Sequence, residues 1–302
     1  MALAAPTGTE PNNPRNLSQT VMWQIKPMYE YLLMVDAGSG KLGPGLATEW
    51  AWEPNGKQVR MKLRGGVQLH KDMGEFGAKD VIYSWKDVTH PQALYGDAPV
   101  FRGMIKEITP VNDHEVLFDV AEQPAFFNYW VSQGQGGFEI RSAKHGEAIG
   151  NPTMQTGPLA GSGPYQFKER AQGQYLRYER TAFKHWRTTP DFPEFEFRLM
   201  REASTRLASL MTGEIQVTNL PEDLMAQATR QGMQVIKGQV AGPRIFFNLY
   251  CCFIKDLQKM EGYLYPDSPL MDVRVRKALQ KAINLEEVNK SFFGGKGEIM
   301  YQ

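Results

Sequence analysis

The side chains that could do chemistry are few and scattered. Five histidines, His70, His90, His114, His145 and His185, show no H-x-x-x-H spacing that would set two imidazoles on one helix face around a metal. No G-x-S-x-G element offers a nucleophile at a strand-to-helix turn. Cys251 and Cys252 are adjacent. Neighbouring Cα atoms sit ~3.8 Å apart, under the usual disulfide span, so the pair reads as buried material in an apolar strand. Asp36 to Lys41, DAGSGK, has the outline of half a phosphate loop. Val35 stands where the first glycine belongs, however, and Leu42 where a metal-binding Ser or Thr belongs, so the stretch reads as a turn. Gln133 to Gly137, QGQGG, lacks the spacing of a dinucleotide fingerprint. A lone His70 reads as a residue that stabilises a turn. Catalysis is therefore not expected, nor is a cofactor or a bound metal.

Composition narrows the partner. The 302 residues carry 34 Lys plus Arg against 33 Asp plus Glu, so no basic field points to nucleic acid. Aromatics make up 11%, with six Trp, which serve either as core or as the walls of a cleft that stacks on organic ligands. No apolar run approaches the ~20 residues that span a bilayer. The start, MALAAPTGTEP, has neither the charged nor the apolar region of a secretory signal, and Met1 to Ala5 reads as the tail of a first strand.

The elements that would position a site follow from periodicity. Tyr165 to Glu169 and Tyr175 to Arg180 are two strands joined by a turn at Gly173, entered tightly through Gly161, Gly163 and Pro164. A second hairpin turns at Pro54-Asn55-Gly56, with Val59, Met61 and Leu63 alternating against Arg60, Lys62 and Arg64. Residues 105–108 and 115–120 form a further strand pair, and Phe195, Phe197 and Leu199 mark another strand. Helices are expected through Tyr29 to Leu33, through Val81, Trp85 and Val88, through 124–131, from Ala203 to a Gly213 cap, and from Glu222 to Gln231. Residues 89–102 and 257–267 read as loops, and 214–217, 235–236 and 243–250 as strands. Asp272 caps a helix whose inner face is Val275, Ala278, Leu279, Ala282 and Ile283. The alternation of strands and helices is that of an α/β protein.

Several of these stretches also carry ordered, uncommon motifs. They are G-S-G-P-Y from Gly161, P-G-L-A-T-E-W from Pro44, and L-R-G-G-V from Leu63 leading through His70, Asp72, Gly74, Phe76, Ala78 and Asp80. A-S-T-R-L-A from Ala203 and D-V-R-V-R-K-A-L-Q-K-A-I-N from Asp272 complete the set. Together they resemble the family 5 extracellular solute-binding proteins, the peptide-binding class of ABC importers. The departures are extra residues after His70, Gly77 where a Thr or Ser usually caps a helix, and Gln216 where an Asp is usual.

The resemblance implies a type II periplasmic-binding-protein fold that looks cut: lobe I with its inserted subdomain nearly complete, lobe II only begun. By that map residues 1–35 and 159–268 are the two segments of lobe I, 36–158 an inserted α+β subdomain, and 269–302 the start of lobe II. It implies a monomer that captures a peptide or other small solute in an interlobe cleft for ABC permease subunits, in the periplasm or tethered outside the membrane. Nickel chelate, haem or sugar cargo, or a truncated interaction module that has lost transport, are alternatives. The ligand-binding residues it implies are Leu17 in the loop before Tyr29, Tyr95, Asn248 and Tyr250. The Asn248 amide would anchor ligand backbone or satisfy a neighbouring loop.

Overall fold

A computed structural model describes residues 2–3, 14–16, 22, 24–121, 126–152, 156–236, 253–256 and 261–295. The chain divides into two compact units, Met1–Leu220 and Pro221–Gln302.

In the first unit, β1 (Ala2–Leu3) precedes two single 3₁₀ turns, Pro14–Asn16 and Lys26–Met28, and the short pair β2 (Leu33–Val35) and β3 (Leu42–Pro44). Next come β4 (Ala47–Trp52), β5 (Gln58–Leu63), α1 (Ala78–Val88), α2 (Ala98–Met104), β6 (Ile105–Asn112) and β7 (Glu115–Val120). The antiparallel sheet of this region runs β4-β5-β7-β6. Its inner face is set by alternation: Val59 lies opposite Phe118 and Met61 opposite Val116, all four fully buried, while Lys62 faces out. Helix α1 lays Val81 and Val88 into the same core.

Gly77 caps α1 because nothing larger fits. A Cβ there would sit 2.9 Å from the Asp113 carbonyl oxygen, which already accepts from the Ala78 N–H. Asp80 Oδ2 accepts from the Gly77 N–H at 2.9 Å, the half of a capping box that reaches back from the first turn to the cap.

After α3 (Phe127–Trp130) and α4 (Ala143–Ile149) the chain forms β8 (Tyr165–Ala171), β9 (Tyr175–Arg180) and β10 (Glu194–Leu199). These build the second sheet, β1-β10-β9-β8, in which β1 is parallel to β10 and the rest antiparallel. The tail of a first strand expected at the start of the chain is thus paired, Ala2 against Arg198. Helix α5 (Ala203–Met211) ends at a left-handed Gly213, φ +77.

The second unit holds α6 (Glu222–Arg230), the hairpin β11 (Ile254–Asp256) and β12 (Glu261–Tyr263), and the helices α7 (Val273–Ala282) and α8 (Leu285–Phe293). Asp272 and Asn284 cap the last two, accepting from the Arg274 and Glu287 N–H groups.

Five expectations are corrected, the first being the strand expected at 235–236, which is irregular. Tyr29 to Leu33 is extended, not helical: Pro27 stands just before it, and every side chain from Met28 to Leu33 is buried, which a helix with one wet face does not allow. Residues 89–102 contain the start of α2, opened by Pro99 in its first turn. Residues 214–217 form no strand; Ile215 tucks back onto Ser209 instead. Residues 257–267 include β12.

Candidate functional site

The extended stretch Tyr29–Leu32 is sewn into the first unit on both sides. Leu46 N–H donates to the Tyr31 carbonyl, Ala47 N–H to that of Leu32, and Ile140 N–H to that of Glu30. This backbone carries a carboxylate into the interior. Glu30 is 0% exposed, and a charge so placed must be paired. The Arg187 guanidinium grips it with Nε 3.0 and 3.1 Å from the two carboxylate oxygens and Nη2 2.8 Å from Oε1, while His185 Nε2 lies 3.3 Å from Oε1. Trp186, between these two partners in sequence, carries the Arg64 guanidinium 4.3 Å above its ring.

One residue after Glu30, the Tyr31 hydroxyl donates to Glu139 Oε1 at 2.7 Å, and the Gly137 N–H donates to the same oxygen at 3.2 Å. Burial, and then the adjacent Glu139, push the Tyr31 phenol well above its ordinary range. Glu139 is itself fully buried. The Tyr29 hydroxyl donates to the Leu159 carbonyl at 2.9 Å, and burial raises that phenol too.

The G-S-G entry to β8 packs against the same stretch. A Cβ on Gly161 would run into the Met28 carbonyl and the Tyr29 ring, and one on Gly163 into the Pro27 and Met28 backbone. Both glycines are needed for close approach, not for a left-handed conformation. His70 fastens this loop: its N–H donates to the Gly161 carbonyl, its Nε2–H donates to the Gly163 carbonyl at 2.8 Å, and its Nδ1 accepts from the Gly161 N–H at 3.3 Å. Lys71 and Asp72, which follow it, turn the chain through left-handed backbone at φ 56 and 54.

Of the four ligand-binding residues expected, Leu17, Asn248 and Tyr250 lie outside the described residues. Tyr95 is 2% exposed; its hydroxyl lies 3.2 Å from Asp97 Oδ2 and 3.3 Å from the Gly136 carbonyl. Its ring lies under Gly137, where a Cβ would come within 2.5 Å of it. Tyr95 thus braces the Gln133–Gly137 loop from below, and Gln135 joins through Asp97 at 3.0 Å. Glu30, Glu139 and Arg187 carry no motif in the sequence, and His185 enters there only as one of five scattered histidines. A signal was present for the first: an acid inside the apolar run Y-E-Y-L-L predicts a buried partner.

The arrangement orients backbone and holds charge; it does not assemble a nucleophile with a base. Among the described residues no group of three His, Cys, Asp or Glu is placed to hold a metal, and no helix is long and apolar enough to cross a membrane.

Residues 41–302 match the bacterial extracellular solute-binding proteins, family 5 middle region. The chain belongs to that family. Family 5 is described by solute binding, not by catalysis. Among its relatives is the dipeptide-binding protein of Escherichia coli, 28% identical over 291 residues, 90% of this chain and 51% of that protein. Another is the probable di/tripeptide-binding protein 5 of Pseudomonas aeruginosa, 27% identical over 283 residues, 87% of this chain and 51% of that one. The chain spans about half the length of these curated relatives.

Solved structures share its mixed α/β fold. The periplasmic binding protein DppA from Helicobacter pylori, in complex with the peptide STSA, matches at 20% identity and TM-score 0.72 over 99% of this chain and 59% of that one. NikZ from Campylobacter jejuni, in complex with Ni(L-His), matches at 17% and TM-score 0.73 over 100% and 57%.

Proposed function

We propose that this family 5 protein is the solute-capturing component of an ABC importer, taking peptides into a cleft between two lobes and presenting them to permease subunits in the membrane. The observation that carries the reading is the match to the dipeptide-binding protein of E. coli across 90% of this chain. In this reading the fold is that of a type II periplasmic binding protein. Residues 1–35 and 159–268 form lobe I, 36–158 its inserted subdomain, and 269–302 the beginning of lobe II. The protein works as a monomer outside the cytoplasmic membrane.

The chemistry suits such a role. A peptide offers regular backbone donors and acceptors that strand edges can hold, while hydrated pockets accept varied side chains. Ligand bound between two lobes shifts their population toward the closed form that a permease recognises. Leu17, Asn248 and Tyr250 are assigned to the cleft wall. Tyr95 acts on it through the Gln133–Gly137 loop that it supports.

The test is calorimetric titration of di- and tripeptides into this chain and into a version extended to the length of its relatives. Saturable binding is expected from the extended protein, with weak or no binding by the 302-residue chain alone. An extended, folded protein that takes up no peptide would overturn the peptide reading.

A further inference from the structure

Three of the five histidines converge on one short loop. His145, on α4, accepts the Ala160 N–H at Nδ1, 2.9 Å away. His70, from the turn after β5, accepts the Gly161 N–H at Nδ1 and donates from Nε2 to the Gly163 carbonyl. His185, from the segment after β9, donates from Nε2 to the Ser162 carbonyl at 3.0 Å. Its Nδ1 faces the Arg187 and Thr188 N–H groups at 3.4 and 3.3 Å. Peptide groups of four consecutive residues, Ala160 to Gly163, are thus held by rings from three separate segments, all buried.

In every ring Nδ1 faces a backbone N–H and must be an unprotonated acceptor. A second proton there would set donor against donor, at a site water cannot reach. The loop so held is the one whose glycines pack against the Pro27–Tyr29 backbone and so position Glu30.

We propose that His70, His145 and His185 clamp the Ala160–Gly163 loop and close the junction between the two sheets at neutral pH, and that proton uptake by His70 and His145 releases it as the medium turns acidic.

The charged groups facing the rings are Glu30 and Arg187 at His185, Lys71 at His70 and His145, and the rings of His70 and His185 at each other. Burial pushes the His70 imidazole from an ordinary 6.5 down to about 4; the Gly163 carbonyl opposes this in part, while His185 and Lys71 add to it and Glu30 resists. Burial, then Lys71, lowers His145 in the same direction. A histidine held neutral in the fold but charged when unfolded contributes stability that is complete above pH 6.5 and is lost as pH falls toward its folded value. Each such histidine raises the unfolding constant ~10-fold per pH unit within that window. The clamp rests on these contacts alone and stands whatever solute the protein carries.

The test is urea unfolding of the 302-residue chain between pH 7.5 and 4.5, read by tryptophan fluorescence, since the Trp186 ring lies 5.7 Å from that of His185. Between pH 6 and 5 the unfolding constant should rise by more than ~10-fold in the native chain, the signature of more than one proton taken up. H70Q retains a donor for the Gly163 carbonyl and H145N an acceptor for the Ala160 N–H, and neither can be charged. The double variant should flatten the rise to ~10-fold or less, whereas H114Q, at an exposed ring, should leave it unchanged. A rise in the double variant equal to that of the native chain would overturn the clamp. Imidazole nitrogen spectra of the native chain decide the matter independently of how the variants fold. His70 and His145 should both be neutral Nε2–H tautomers at pH 7.5, and a proton on Nδ1 of either would equally overturn it.

Discussion

The β4-β5-β7-β6 sheet and the junction around Glu30 and Ala160–Gly163 lie in one compact unit but are held together by opposite means. The sheet is joined by apolar alternation: Val59, Met61, Val116 and Phe118 face inward, and its charged side chains sit in solvent as ion pairs such as Lys62–Glu49. The junction is joined by buried polar groups, a carboxylate against a guanidinium and backbone amides against imidazole rings, with two glycines that allow backbone to touch backbone. The lesson is one of tolerance. An apolar core forgives a change of shape at moderate cost, because neighbours relax. A polar junction forgives little, since removing one partner strands the other in a place without water.

The sharpest way to break the junction is at its backbone contact. Gly161→Val would drive a branched side chain into the Met28 carbonyl and the Tyr29 ring, and neither backbone nor a fully packed ring can withdraw. A loss of more than about 4 kcal/mol is expected, seen as failure to fold or a collapsed urea midpoint. A midpoint near that of the native chain would show that the contact is loose.

The ion pair comes next. Arg187→Met leaves the Glu30 carboxylate buried without its guanidinium, and a loss of about 3 kcal/mol is expected in urea unfolding. Adding Glu30→Gln should restore part of that loss, since no unpaired charge then remains. If the double change is worse than the single one, stranded charge is not what the junction fears.

Within the sheet, Met61→Ala should cost about 2–3 kcal/mol by leaving a cavity beside Val116. One residue further on, Lys62→Ala should leave the midpoint unmoved, because its pair with Glu49 is exposed on both sides. A large effect at Lys62 would erase the distinction between the two regions.

That distinction also separates what could be read in advance from what could not. The sheet was legible because alternation at Val59, Met61 and Leu63 has one explanation, and the G-S-G-P-Y entry, the β8–β9 hairpin and the capped helix at Asp272 were legible for the same local reason. Tyr29 to Leu33 was misread as a helix because continuous burial in six residues carries no period to distinguish helix from strand. The partners at the junction stayed hidden because Glu30 and Arg187 are 157 residues apart, and nothing local to either one points to the other.

From the sequence alone came most of the elements, the balance of charge that points away from nucleic acid, the lack of catalytic spacing, and the resemblance to the solute-binding family now matched over residues 41–302. All of these are written in neighbouring residues or in ordered motifs. The tertiary structure decided which polar groups are buried and against what: that Glu30 meets Arg187, that Tyr95 lies beneath a glycine loop, and that three distant histidines close on four consecutive peptide groups. Those facts depend on desolvation and on contacts between remote segments. No periodicity along the chain records either one.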